Sequence, residues 1–288
     1  MAGVTVLAVS LILNLIPISL LLLIFFHYPT GLIYSSLLIL GIGIFAISPI
    51  NESIGRFSLG CRPPTTEESR KILGSWNQVL GAVDKSLDGK TGARFEKVEL
   101  FVSDEKLPNA FALGNNTICV TKGLLNFSSS ANMAGVLAHE AGHLHFGDSQ
   151  RLAIAVTANQ LGILSYNLLG IITVLVDAAG KVISGLTQSR NPVVSLMGVA
   201  YSLFAIVVNV SLRVLCFVSQ FSLKLSICAV GRGEEFRADL FAKNIGFGQP
   251  LAKFLRGIEA LEGAPKNIWQ VLYSTHPPTA ERIDRLEK

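Results

Sequence analysis

Residues 128–151 read Ser-Ser-Ser-Ala-Asn-Met-Ala-Gly-Val-Leu-Ala-His-Glu-Ala-Gly-His-Leu-His-Phe-Gly-Asp-Ser-Gln-Arg. Ser128–Ser130 offer N-cap side chains, and Ala131–Phe146 follow as a helix. Inside it stands His139-Glu140-Ala141-Gly142-His143, an H-E-x-x-H match. Histidines four apart share one helical face, about one turn from each other, so both imidazoles can reach a single Zn²⁺. Glu140 lies beside that face and can take a proton from a water that the metal has acidified. His145 points away from the His139/His143 face and, like His27, reads as structural.

A catalytic zinc takes three protein ligands and keeps a fourth position open. The metzincin pattern would want Gly at 146 and His at 149, where this chain has Phe146 and Ser149. No acidic residue lies between Asp148 and Asp177. Asp148 follows too closely on His143 to aim at the same metal, and Asp177 lies beyond an apolar run. The third ligand is therefore expected in Gly233-Glu234-Glu235-Phe236-Arg237-Ala238-Asp239. Glu235 is the assigned ligand. Asp239, four residues on, shares its face and can orient a ligating imidazole; the plainer alternative is a helix ion pair with Arg232 or Lys243. Glu234 reads as solvated. His276 heads His-Pro-Pro before a last amphipathic helix from Thr279, where a donor could steady an oxyanion.

The chain as a whole is apolar: 288 residues, 50% hydrophobic and 15% charged, with a mean hydropathy of +0.50. An average soluble domain carries about 25% charged residues. The charges are also unevenly spread. Residues 1–51 contain no Lys, Arg, Asp or Glu; 52–150 hold 10 basic and 11 acidic residues, 151–230 hold 5 and 1, and 231–288 hold 9 and 8. This excludes a single soluble domain, a disordered chain and a nucleic-acid binder with a basic face. Four apolar stretches are long enough to span a bilayer: 4–26, 32–50, 152–176 and 193–213, the last with a helix extending towards 230. Residues 1–50 and 151–230 thus read as two membrane hairpins. The charged segments 51–150 and 231–288 fall on one side and supply the two parts of a metallopeptidase domain. Arg56, Arg62, Arg70, Lys71, Arg151, Arg232 and Arg237 flank the spans on that side, against Lys181 and Arg190 opposite, so the charged side is expected to be cytoplasmic.

Within the charged segments, Thr65/Thr66-Glu67-Glu68 opens a helix whose stripe Ile72, Leu73, Trp76, Val79, Leu80, Val83 and Leu87 is expected in the core. Residues 98–103 and 117–121 read as strands, with 109–114 between them. The fold class expected is an α-helical membrane protein with four transmembrane helices and an α+β zinc-metallopeptidase domain built on a small sheet. Cys61, Cys119, Cys216 and Cys228 show no paired spacing and read as reduced thiols. H-E-x-x-H inside a span would suggest intramembrane proteolysis, but a polar segment precedes it and Asp148 and Arg151 follow. A membrane scaffold or holdase with a structural metal is the non-enzymatic alternative.

Several of these features, in order along nearly the whole chain, resemble the HtpX-type membrane zinc metallopeptidases, which are related to the CAAX prenyl-protein proteases. They are an N-terminal span pair, Pro108-Asn109-Ala110-Phe111-Ala112, Val120–Leu125, His139–His143 with Gly147-Asp148, a second span pair, Glu235–Asp239, and Thr275-His276-Pro277-Pro278 with Arg282-Ile283. The resemblance implies a gluzincin-type endopeptidase of the bacterial inner membrane that degrades damaged membrane proteins. One zinc would be held by His139, His143 and Glu235, with Glu140 as general base and His276 as transition-state stabiliser. Asn109 and Ala110 would lie on the strand that pairs with the polypeptide substrate. The CAAX proteases of this lineage have more spans, which argues against CAAX processing.

Overall fold

The computed structural model describes residues 26–86, 94–186, 192–262 and 278–288, with scattered positions between Ile12 and Leu23. The first predicted span, Leu87 of the helical stripe, and His276 with its His-Pro-Pro segment up to Pro277 fall wholly or largely outside them. Helix α1 (Thr30–Ala46) carries the second apolar run. The run does not continue straight to Ile50 as the hydropathy predicts. Ser48 accepts a hydrogen bond from the Asn51 N–H and caps a new helix, α2 (Pro49–Ser58), and the two helices bend by 61°. Pro49 has no N–H to give and suits the first helical position, so the break precedes the first charged residue.

Strand β1 (Cys61–Arg62) leads into α3 (Thr66–Ser86). Thr65 and Glu68 cap its start reciprocally: the Glu68 carboxylate accepts from the Thr65 N–H at 2.8 Å, and the Glu68 N–H donates to the Thr65 hydroxyl at 3.3 Å. Ile72, Trp76, Val79 and Val83 form the buried stripe, with Leu80 packed partly against it. Leu73, one residue round from Ile72, is 45% exposed and leaves the predicted set, because a step of about 100° takes it off that face.

Strands β2 (Glu99–Ser103), β3 (Ala110–Leu113) and β4 (Thr117–Thr121) follow. The sheet order is β1-β2-β4-β3, with β2 and β4 parallel and both outer pairs antiparallel. Among the described strands β3 is therefore an edge. Helices α4 (Lys122–Phe127), α5 (Ser130–Phe146), α6 (Asp148–Leu186), α7 (Pro192–Asn244), α8 (Gly248–Glu262) and α9 (Thr279–Glu287) complete the chain.

Contacts divide the chain into two units. The unit of residues 43–154 and 227–288 holds the sheet and a core in which Ile72, Phe95, Ile118, Leu124, Leu137, Leu144 and Leu251 are fully buried. The unit of residues 1–42 and 155–226 is patterned the other way. Its large apolar side chains, such as Ile171, Leu203 and Val207, point outward, while Asn14 turns inward and accepts a 2.7 Å hydrogen bond from Ser219. Such an arrangement suits an apolar solvent. Among the described residues, two stretches, Asp148–Lys181 and Ser195–Phe221, are long and apolar enough to cross a membrane, and a third is if the bent α1–α2 pair counts as one span. The 53 helical residues of α7 run without a break from Pro192 to Asn244, past the predicted 230. At 1.5 Å per residue that is about 80 Å, against a hydrocarbon core of about 30 Å.

Candidate active site

Helix α5 supplies the first three residues of the site. Ser129 caps it, accepting from the Asn132 N–H, and Gly147 ends it in the left-handed conformation at φ 70°. Arg94 donates to the terminal carbonyl of Leu144 at 2.9 Å, a cation placed where the helix dipole favours one. His139 and His143 project from one face with their Nε2 atoms 3.2 Å apart.

The acidic partners arrive on α7. A Cβ on Gly142 would stand 3.0 Å from the Ala238 Cα and would push the helices apart by a few tenths of an ångström, so glycine suits this close approach of α5 to α7. That approach brings Glu235, three residues before Ala238, and Asp239, directly after it, onto the histidines. Glu235 places one oxygen 3.4 Å from His139 Nε2 and the other 3.5 Å from His143 Nε2. One donor atom each from His139, His143 and Glu235 fits within 4.8 Å.

Each imidazole is backed on its far side by a separate carboxylate. His139 Nδ1 lies 2.8 Å from Asp239 Oδ1, and His143 Nδ1 lies 2.9 Å from Asp148 Oδ2. Such pairs fix the tautomer and leave both Nε2 atoms facing the Glu235 oxygens. Two imidazole nitrogens and a carboxylate oxygen, converging and held this way, are a donor set suited to zinc. Burial works against charge on His143, yet the Asp148 and Glu235 carboxylates outweigh it and push its pKa up to about 10. Asp239 is held below its usual value: burial opposes its charge, but His139 and Arg282 favour it.

Arg282, on α9, closes the cluster. Its Nε and Nη2 donate to the two oxygens of Asp239 at 2.8 and 2.7 Å, and its Nη1 lies 3.0 Å from a Glu235 oxygen. One guanidinium thus holds both the candidate ligand and the carboxylate that orients His139. Glu140, Glu235, Asp239, Asp148 and Arg282 are all at most 7% exposed.

A model of peptidase family M48 matches residues 78–288. The chain belongs to peptidase family M48. Curated M48-type relatives agree over most of the length: a "Protease HtpX homolog" of Dictyoglomus turgidum is 27% identical across 89% of this chain and 81% of its own, and one of Tropheryma whipplei is 30% identical across 76% and 75%. The crystal structure of S. mikatae Ste24p shares the fold with a TM-score of 0.56 at 17% identity, covering 94% of this chain and 61% of that one. The protein is thus an HtpX-type M48 metallopeptidase, a hydrolase of peptide bonds.

In this M48 chain Asn109 and Ala110 sit at the start of the edge strand. Thr121 N–H donates to the Asn109 carbonyl at 3.0 Å, and Asn109 N–H donates to the Thr121 hydroxyl at 2.9 Å. With Ala110 opposite Val120 and Ala112 opposite Ile118, antiparallel alternation then turns the N–H and C=O of Ala110 and Ala112 away from β4. The Ala110 N–H is met by the Asn109 side-chain oxygen at 2.9 Å. The His276 assignment lies outside the described residues.

The reading of Glu234 changes, and the alternative for Asp239 loses Lys243 as a partner. Asp239 pairs with His139 and Arg282, whereas Lys243 donates to the Arg285 carbonyl. Glu234 is not simply solvated: Arg151 bonds it at 3.0 Å, and burial followed by the nearby Asp148 charge pushes its carboxyl pKa up. Two site residues lacked an assigned role in the sequence reading. Asp148 had been set aside as a ligand, but the left-handed turn at Gly147 aims it back at His143; the Gly-Asp pair after the helix was its only signal. Arg282 carried no signal beyond its place in the final amphipathic helix and in the Arg282-Ile283 pair that follows the His-Pro-Pro motif.

Proposed function

We propose that this protein is a zinc-dependent integral-membrane endopeptidase that cleaves misfolded or damaged membrane proteins. The observation that carries this reading is the convergence of His139, His143 and Glu235, with each imidazole backed by its own carboxylate. These three residues would hold one zinc ion per chain, which when bound supplies a Lewis acid and lowers the pKa of water to about 7. Glu140, adjacent to His139 on α5, takes the proton of the attacking water and passes it to the leaving amine. Asp239 and Asp148 keep the imidazoles in one tautomer, and Arg282 keeps Asp239 and Glu235 in place. His276 is assigned the oxyanion on the strength of the Thr275–Pro278 motif. The polypeptide substrate lines up on β3, where its backbone takes the outward groups of Ala110 and Ala112 and displaces the Asn109 oxygen from the Ala110 N–H.

Four spans in two hairpins, with residues 51–150 and 231–288 in the cytoplasm, extend this reading to the bacterial inner membrane. The two long apolar stretches and the cations flanking the catalytic segments support it. Glu235→Ala tests the ligand set. Zinc content of the purified protein is expected to fall from one per chain to near zero, with casein cleavage lost and helical circular dichroism retained. Stoichiometric zinc in that variant would contradict the assignment.

A further inference from the structure

We propose that Glu52 and Ser149 are positioning residues for the substrate-accepting edge: together they fix the turn that ends β3 and so set how tightly an extended peptide pairs with that strand. This rests on β3 being the edge that takes substrate. Strand β4 is held on its other side by β2, but β3 is four residues long and has β4 as its one strand partner among the described residues. Strand β3 also packs against α5, and as the short edge of the sheet it is further positioned by what grips its ends. At its start, Thr121 binds Asn109. At its end lies the turn Gly114-Asn115-Asn116, and two side chains from outside the sheet grip it.

Glu52, on α2, has a side chain only 7% exposed. Its carboxylate accepts from the N–H of Asn115 at 3.0 Å, from the N–H of Asn116 at 3.3 Å and from the Thr117 hydroxyl. Gly114 makes this approach possible. It has φ +53°, and a Cβ there would stand 2.3 Å from a Glu52 oxygen. Arg56 steadies the carboxylate's surroundings, donating to the Thr117 hydroxyl at 3.0 Å, and the Asn115 side chain donates to the Ile47 carbonyl at 3.2 Å. From the opposite quarter Ser149 donates to the Gly114 carbonyl at 2.7 Å. Ser149 directly follows Asp148, which holds His143. Adjacent residues at the start of α6 therefore grip the candidate metal ligand and the end of the edge strand, fixing one relative to the other. An extended peptide must meet both at once. Small misplacements of a bound chain are costly, so loosening the turn weakens substrate pairing without disturbing the ligands.

The test measures kcat and KM on a fluorogenic peptide, together with zinc affinity by chelator competition, for E52A, S149A and A112P. Removing an ionised acceptor shared by three donors is expected to raise KM about tenfold in E52A, with kcat within about twofold and zinc affinity unchanged. S149A, which loses one neutral bond and tests the same turn should E52A not fold, is expected to raise KM about threefold. A112P removes an outward N–H from the edge and is also expected to raise KM. A112P with the wild-type KM would overturn the edge reading and the proposal with it. A raised KM in A112P, beside wild-type KM in S149A and E52A, would overturn the proposal alone. So would a joint fall of kcat and zinc affinity in S149A, because the serine would then act through the metal site.

Discussion

At the residue scale, the cluster depends on charges that are satisfied only by one another. Arg282 is the buried cation between Asp239 and Glu235. Removing one partner of such a group strands the others in a low dielectric and costs about 3–5 kcal/mol. R282M is therefore expected to unfold at markedly lower urea in detergent than wild type; unchanged stability would show that the carboxylates find other partners. Asp148 tests a different function. D148N keeps the shape but weakens the grip on His143 Nδ1, and zinc affinity is expected to fall about 10- to 100-fold in chelator competition. The pairing of His139 with His143 is written in a spacing of four. The approach of Glu235 follows from the lack of any nearer carboxylate on the right side of the apolar run. Arg282 and Asp148 were not readable in these roles, because each is aimed by something non-local: the docking of α9 through Ile283 and Leu286, and a left-handed turn.

At the element scale, caps and breaks decide where helices begin, and short signals state them plainly. Thr65 and Glu68 start α3 as their spacing suggests. T65A is expected to cost about 1 kcal/mol in denaturant unfolding. Glu68 adds a pH dependence. Hydrogen bonds from Arg62, then from the Thr65 N–H, lower its carboxyl from the usual 4.5 to about 2. A carboxyl whose pKa is depressed by folding stabilises the protein above its unfolded value, and the contribution fades as pH falls from about 4.5 through about 2. E68Q should therefore be less stable than wild type at neutral pH, with the difference closing across that window in pH-dependent unfolding; a gap that persisted at pH 2 would place its origin elsewhere. The bend at Ser48 was the element misread. Hydropathy runs on through Pro49, and only the missing proline N–H and the Ser48 cap reveal the break.

At the scale of the whole molecule, the charge distribution carries most of the account. The segments that hold the candidate ligands are nearly neutral overall, and the excess of basic residues lies in 151–230. The apolar interval between His143 and Glu235 was legible as membrane-like from composition, as was a helix extending towards 230, whereas the continuation of α7 to Asn244 was not, because Gly231 and Gly233 are weak helix formers. The family could be reached from motif order and the small sheet from strand patterning; the mixed pairing of that sheet and the grip of Glu52 on the β3–β4 turn required coordinates, since the partners of Glu52 lie more than 60 residues away. In the proposed function, Glu140 acts on a water in a site that His139, His143 and Glu235 build for zinc. The most direct measurement is zinc content and casein cleavage of purified wild type beside E140Q. One zinc per chain in both proteins, with cleavage by wild type alone, is the predicted result. Wild-type cleavage by E140Q, or cleavage by a wild-type protein stripped of zinc, would contradict it.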